Sequence, residues 1–246
     1  MKKALVLLKL ILTVIISNAQ QEVVSNGCFN MLAKSKITTD GAVYETWLNN
    51  NCNNIAFLED ANYKIKFEYR KDDGKKARYP SSLNFKHNIF LAPNSSISSS
   101  EVKRWNGTNR TFISVYNESG GINIGPNFEP SNNLPQGYLE QNALVDSAKV
   151  LIDAKQGVNF YLQITYNYWR YGLDRAVVTL IAENTTSNKF KEGYEIDYSI
   201  NFYGKEYSGS LAIKKVNPNS TNEEKNKLPV VFNFTPQAYY KIINSF

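Results

Sequence analysis

The chain is short of the residues that most metal and nucleophile chemistry uses. It has one histidine, His87, and two cysteines, Cys28 and Cys52. The cysteines are not in a C-x-x-C spacing. One histidine cannot complete a Cys/His ligand set, so a zinc site of the usual kind is excluded and no metal is expected. No G-x-S-x-G, P-loop, G-x-G-x-x-G or H-E-x-x-H motif occurs, and no cofactor is expected. A single histidine could serve a Ser-His-Asp site. No serine stands in a recognisable nucleophile turn, however, and His87 reads as a plain strand or loop position.

Helix-forming stretches are also scarce. One is Met1–Ala19, with Lys2 and Lys3 ahead of the apolar run Ala4–Ile16 and small residues at Ser17 and Ala19. This is the pattern of a secretory signal peptide cut after Ala19, leaving Gln20 first. The apolar run is short for a span of about 20 residues, and no cysteine follows the cut to take a lipid. The expectation is an exported protein, periplasmic, secreted or at the cell surface, with no transmembrane span after cleavage. The signal and its cut before Gln20-Gln21 have a bacterial look, which leaves the Asn-x-Ser/Thr triplets at Asn94, Asn106, Asn109, Asn117, Asn184, Asn219 and Asn233 with little meaning as glycan acceptors.

Excess charge is scarce too. Lys and Arg number 28 against 22 Asp and Glu, or +6. Losing Lys2, Lys3 and Lys9 leaves 25 against 22, or +3. The one basic cluster, Arg70-Lys71, Lys75-Lys76 and Arg78, is broken by Asp72-Asp73-Gly74. That reads as a charged hairpin tip, so no nucleic-acid partner is expected. In an oxidising compartment Cys28 and Cys52 are expected to pair. The disulfide closes a loop of about 25 residues and contributes about 3 kcal/mol in the chain-entropy account.

Aromatic residues are plentiful, with 16 Tyr and 13 Phe, which tilts the chain towards strands. The clearest strand is Phe160–Arg170. Phe160, Leu162, Ile164, Tyr166 and Tyr168 fall on one face; Tyr161, Gln163, Thr165, Asn167 and Trp169 fall on the other. Further strands are expected at 43–48, 63–69, 83–91, 111–116, 176–182, 194–202, 207–213 and 230–234. Ser95–Ser100 and Asn217–Lys227 read as polar loops, and Leu173-Asp174-Arg175 as a turn. Leu139–Ala154 suits a helix, with a strand from Val150 as the alternative. Thr235-Pro236 suggests a short terminal helix.

Short strands separated by turn signals point to an all-β chain of two tandem immunoglobulin-like or fibronectin-like β-sandwich domains, with a possible short helix between them. No family-specific motif appears. The expected plan is a signal at 1–19, a first domain at 20–117, a linker at 118–137 rich in Gly, Pro and Asn, and a second domain at 138–246. The halves match weakly: the strand ending in Asn49-Asn50 parallels the one ending in Asn184, and Pro93-Asn94-Ser95 parallels Pro218-Asn219-Ser220.

Candidate binding residues are Tyr161, Trp169, Arg170 and Tyr171, with Trp105 in a second aromatic loop. Aromatic rings with polar tips suit sugars or protein anchors. The expected function is a non-catalytic binding module for a glycan or for an envelope or surface protein. Two alternatives stand beside it. A carbohydrate-active enzyme would use a carboxylate pair drawn from Asp174, Glu183, Glu195 and Asp197. An assembly component would pair through a sheet edge.

Overall fold

The structure, a computed structural model, describes residues 20–38, 41–71, 73–85, 88–104, 111–125, 137–141 and 149–246. Every long regular element among them is a strand. These are β1 (Gln21–Asn26), β2 (Phe29–Thr38), β3 (Gly41–Asn50), β4 (Ala56–Arg70), β5 (Lys76–Phe85), β6 (Asn88–Leu91), β7 (Ser95–Arg104), β8 (Thr111–Ile124), β9 (Leu139–Gln141), β10 (Val150–Lys155), β11 (Val158–Arg170), β12 (Leu173–Asn184), β13 (Tyr194–Phe202), β14 (Lys205–Ile213), β15 (Ser220–Phe232) and β16 (Ala238–Ser245). The chain is all-β. It divides into two compact units, Met1–Pro126 and Asn127–Phe246. The signal segment, His87 and Trp105 lie outside the described residues.

In the first unit, antiparallel strands run in the order β1-β2-β3-β7. Met31, Leu48 and Ile97 are in register and buried, and Ala33, Thr46 and Ser99 form the next buried row. The Thr46 hydroxyl donates to the Ser99 carbonyl at 3.3 Å, which satisfies a buried polar group. The long strand β4 carries β8 along one edge and β6 and β5 along the other. Tyr44 of β3 stacks on Tyr63 of β4 with centroids 6.0 Å apart, so the two layers meet through aromatic rings. Cys28 and Cys52 form the expected disulfide, with Cα atoms 5.3 Å apart.

In the second unit, β10-β11-β12-β15 faces a layer ordered β14-β13-β16-β9. Alternation places Phe160, Leu162 and Ile164 inward from β11, and Ile196, Tyr198 and Ile200 inward from β13. Phe160 stacks on Tyr194 at 3.8 Å, and Phe232 meets Phe202 at 4.9 Å. Burying each such ring contributes about 1.5–3 kcal/mol. Tyr138 fastens the entry of the chain: its hydroxyl lies 2.9 Å from Ser199 Oγ and donates to Glu206 at 2.7 Å.

The two units repeat one local device. Asn50 ends β3 with its side chain fully buried. Its Nδ2 donates to the carbonyls of Asn54, Leu91 and Ala92, and its Oδ1 accepts from the Cys52 amide. Asn184 ends β12 and is 3% exposed. Its Nδ2 donates to the carbonyls of Asn188 and Asn217, and its Oδ1 accepts from the Thr186 amide. The Asn94 amide donates to the Cys52 carbonyl, and the Asn219 amide to the Thr186 carbonyl. Asn94 and Asn219 have φ of 50° and 46°, a left-handed conformation that asparagine tolerates. Ser95 and Ser220 then cap the same turn through Ala92 and Asn217. The repeated Asn and Pro-Asn-Ser segments therefore share structure as well as sequence.

Five expectations are corrected. No helix covers the described parts of 139–154: β9 and β10 occupy them, and 142–148 lie outside the description. Val150 to Lys155 pair with β11, which is the strand alternative from Val150. The terminal helix is strand β16, because Tyr239 and Tyr240 gain more by burial beside β13 than Thr235-Pro236 gains by capping. Ser95–Arg104 is strand β7, whose alternate positions Ile97 and Ser99 turn inward. Ser220–Phe232 is strand β15: its outward charged residues hide a register set by β12. Finally, the strand expected at 111–116 is longer, and β8 runs on to Ile124. Gly120 sits there because of close packing, since a Cβ would come within 2.4 Å of Val24, 2.8 Å of Tyr63 and 2.9 Å of the Asn62 carbonyl.

Candidate aromatic and guanidinium site

The site is built at the β11–β12 hairpin. The strands are joined by Tyr171 and Gly172, with φ of 59° and 72°. Two successive positive φ values make a type I′ turn, whose twist matches the strands. The turn is thus Tyr171-Gly172, not the expected Leu173-Asp174-Arg175, and Arg175 belongs to β12 opposite Asn167. Just before the turn the register slips between Tyr168 and Arg170. A bulge of this kind re-aims the side chains around it.

The result is a ladder of rings and guanidinium groups. The Arg170 guanidinium lies 3.9 Å from the Trp169 ring and 5.0 Å from the Tyr171 ring. Trp169 and Tyr171 meet edge to face at 6.5 Å. Arg175 approaches Trp169 from β12 at 4.9 Å. Each half-desolvated cation–π contact contributes about 0.5–2 kcal/mol. The Nε atoms of Arg170 and Arg175 are buried and make no hydrogen bond within the described residues. Tyr168, the partner of Asp174 on the opposite face, is 75% exposed.

Trp169, Arg170 and Tyr171 are therefore brought together, as the sequence suggests. Tyr161 is not part of the cluster. It lies eight positions back along the strand, about 26 Å away, where Lys149 covers its ring at 4.3 Å and pairs with Glu183. Trp105 lies outside the described residues. Arg175 was missed, because placing the turn at 173–175 removed it from the strand; reading Tyr171-Gly172 as the turn puts it opposite Asn167.

Of the carboxylate candidates, Glu195 and Asp197 lie two positions apart on β13. Glu183 is tied to Lys149, and Asp174 sits on the opposite face of the hairpin from Arg175. Asp197 accepts from Ser210 at 2.6 Å and from Asn244 at 3.1 Å, and these bonds hold its carboxyl below the ordinary range. A general acid needs the opposite shift. Asn184, in one of the Asn-x-Thr triplets, has its amide committed to two backbone carbonyls. Among the described residues no group of three or more His, Cys, Asp or Glu could hold a metal. No helix among them is long and apolar enough to cross a membrane.

No protein-family model matches the chain. No curated protein matches it either. Among solved structures it is similar to red sea bream transglutaminase, at 8% identity over 89% of this chain and 32% of that chain, with a TM-score of 0.20. The chain thus spans about a third of that protein, and a likeness at that score carries no argument.

Proposed function

We propose that the chain is an exported, non-catalytic binding module of the periplasm or cell surface, recognising a glycan or protein partner through the β11–β12 hairpin. The observation that carries this reading is the Trp169–Arg170–Tyr171–Arg175 ladder. It places a half-exposed indole and two guanidinium groups on a turn that holds a tyrosine at positive φ. Strained non-glycine residues cluster at functional sites, and Trp, Tyr and Arg are the residues that most often anchor interfaces. The repeated asparagine device supports two tandem sandwich units of the immunoglobulin-like kind. The disulfide is compatible with an oxidising compartment. A glycan-array screen of the chain from Gln20 tests the reading. Native binding that Trp169→Ala abolishes, with circular dichroism unchanged, supports it. A blank array, followed by a blank pull-down from envelope extract, overturns it.

A second reading has its own observation. Among the described residues strand β14 (Lys205–Ile213) ends its sheet and pairs with β13 alone, an arrangement that suits strand addition. Self-association or partner capture lost on placing proline in β14 supports an assembly role; capture that survives removes it.

A further inference from the structure

The geometry of the ladder names the chemical class of ligand more narrowly, resting on the reading of the hairpin as a binding site. A neutral sugar docks by laying its apolar face on an open aromatic ring. Trp169 already carries Arg170 at 3.9 Å and Arg175 at 4.9 Å, and Tyr171 carries Arg170 at 5.0 Å. The faces of both rings are thus already approached by cations. A guanidinium carries its N–H donors in its own plane, around its edge. Those edges are the recognition elements that remain.

Two observations say what the edges await. Nε of Arg170 and of Arg175 is buried without a hydrogen bond. These Nε atoms are closed to solvent while both arginines are half-buried, so an oxyanion would meet each guanidinium charge through its Nη groups rather than through Nε. The second observation is the face around the ladder. Cross-strand register aligns Asn167 with Arg175, Thr165 with Val177 and Lys227, and Gln163 with Thr179 and Lys225, all on one side of the sheet. Lys225 is held by Glu223 at 2.8 Å. Moving towards the hairpin, the strip then holds Lys227, Arg175 and Arg170, with the amides of Gln163 and Asn167 beside them. A row of cations flanked by amides suits a chain that presents both anions and hydroxyls.

We propose that this strip, running from Lys227 to the β11–β12 turn, binds an acidic glycan through carboxylate or sulfate groups seated on Arg170 and Arg175. Titration calorimetry of the chain from Gln20 tests this with three probes: a heparin-derived octasaccharide, an oligogalacturonate and cellohexaose. Binding of an acidic probe that weakens with added NaCl is expected, with no binding of cellohexaose. Arg170→Ala and Arg175→Ala each weaken it about tenfold or more. Lys227→Ala, an exposed substitution that leaves the ladder intact, weakens it about threefold. Binding of both acidic probes assigns carboxylate recognition; binding of the heparin fragment alone assigns sulfate. Arg175→Lys keeps the charge and loses the planar fork, so it is expected to bind more weakly than native while keeping the salt dependence.

Binding of an acidic probe that is unchanged in Arg170→Ala, Arg175→Ala and Lys227→Ala overturns the proposal. So does binding of cellohexaose alone through Trp169, which leaves the hairpin as a glycan site of another class. Failure of every glycan, with a protein partner captured through Trp169, overturns the acidic-glycan assignment and keeps the broader reading. Should an arginine variant unfold, the Lys227→Ala result and the salt dependence decide.

Discussion

Asn50 and Asn184 show how much one side chain can hold. Each uses its amide as donor to two or three backbone carbonyls and its oxygen as acceptor for a loop amide. Asn184→Asp replaces the donor by a third acceptor while keeping the shape. The expected cost is about 2–3 kcal/mol, read as a fall in the urea midpoint; an unchanged midpoint rejects the role. At Glu68 the balance concerns charge. Desolvation pushes its carboxyl up, but the hydrogen bonds and charges of Arg78 and Lys76 outweigh this and hold it below the ordinary carboxylate value. A depressed folded value means stability that is present at neutral pH and lost as pH falls through the folded pKa. The stability difference between native and Glu68→Gln is therefore expected to be constant from pH 8 to about 5 and to shrink below about 4.5. Denaturation midpoints across that range check the sign.

The β11–β12 hairpin is where element and site compete. A type I′ turn favours Asn-Gly, and here it holds Tyr171-Gly172. Tyr171→Asn is expected to stabilise the hairpin by about 0.5–1 kcal/mol and to weaken ligand binding, because Arg170 loses one of its two rings. A stabilised variant with undiminished binding would remove Tyr171 from the site. The same strand was legible from its alternation, whereas β7 and β15 were not. Ser95–Ser100 and Asn217–Lys227 carry too little apolar pattern to reveal strands; β3 and β12, already ordered beside them, dictate their register. Gly120 misled in the other sense. A glycine in a Gly-rich stretch signals a break, yet here it lets β8 lie against Tyr63. Gly120→Ala is expected to cost about 1–3 kcal/mol by overpacking, measured by thermal denaturation.

For the whole molecule, the disulfide and the signal pattern make linked predictions. Breaking Cys28–Cys52 by Cys28→Ser with Cys52→Ser is expected to lower stability by about 3 kcal/mol. The loss should appear in non-reducing but not in reducing buffer, when each is compared with the native chain. The protein recovered from an expressing host's envelope or medium is expected to begin at Gln20, which intact mass determines; a chain retaining Met1 rejects export by cleavage. The two units share the asparagine device through offsets in sequence that are too weak to prove a repeat. Hydrogen bonding makes it visible, because Cys52 in one unit and Thr186 in the other offer the same backbone groups.

What the sequence determined by itself is whatever depends on period and composition. Alternating aromatics made the chain all-β, an isolated cysteine pair made a disulfide, and the crowding of Trp169, Arg170 and Tyr171 marked one end of a strand. What only the tertiary structure decided depends on which residues become neighbours across strands. Arg175 joins the ladder because a two-residue turn and a one-residue bulge bring it beside Trp169. Tyr161 leaves it because a strand is a rigid rod about 3.3 Å long per residue. Val150–Ala154 and Thr235–Ile243 lose their helical readings because local propensity is worth tenths of a kcal/mol per residue, and pairing with a buried strand is worth more.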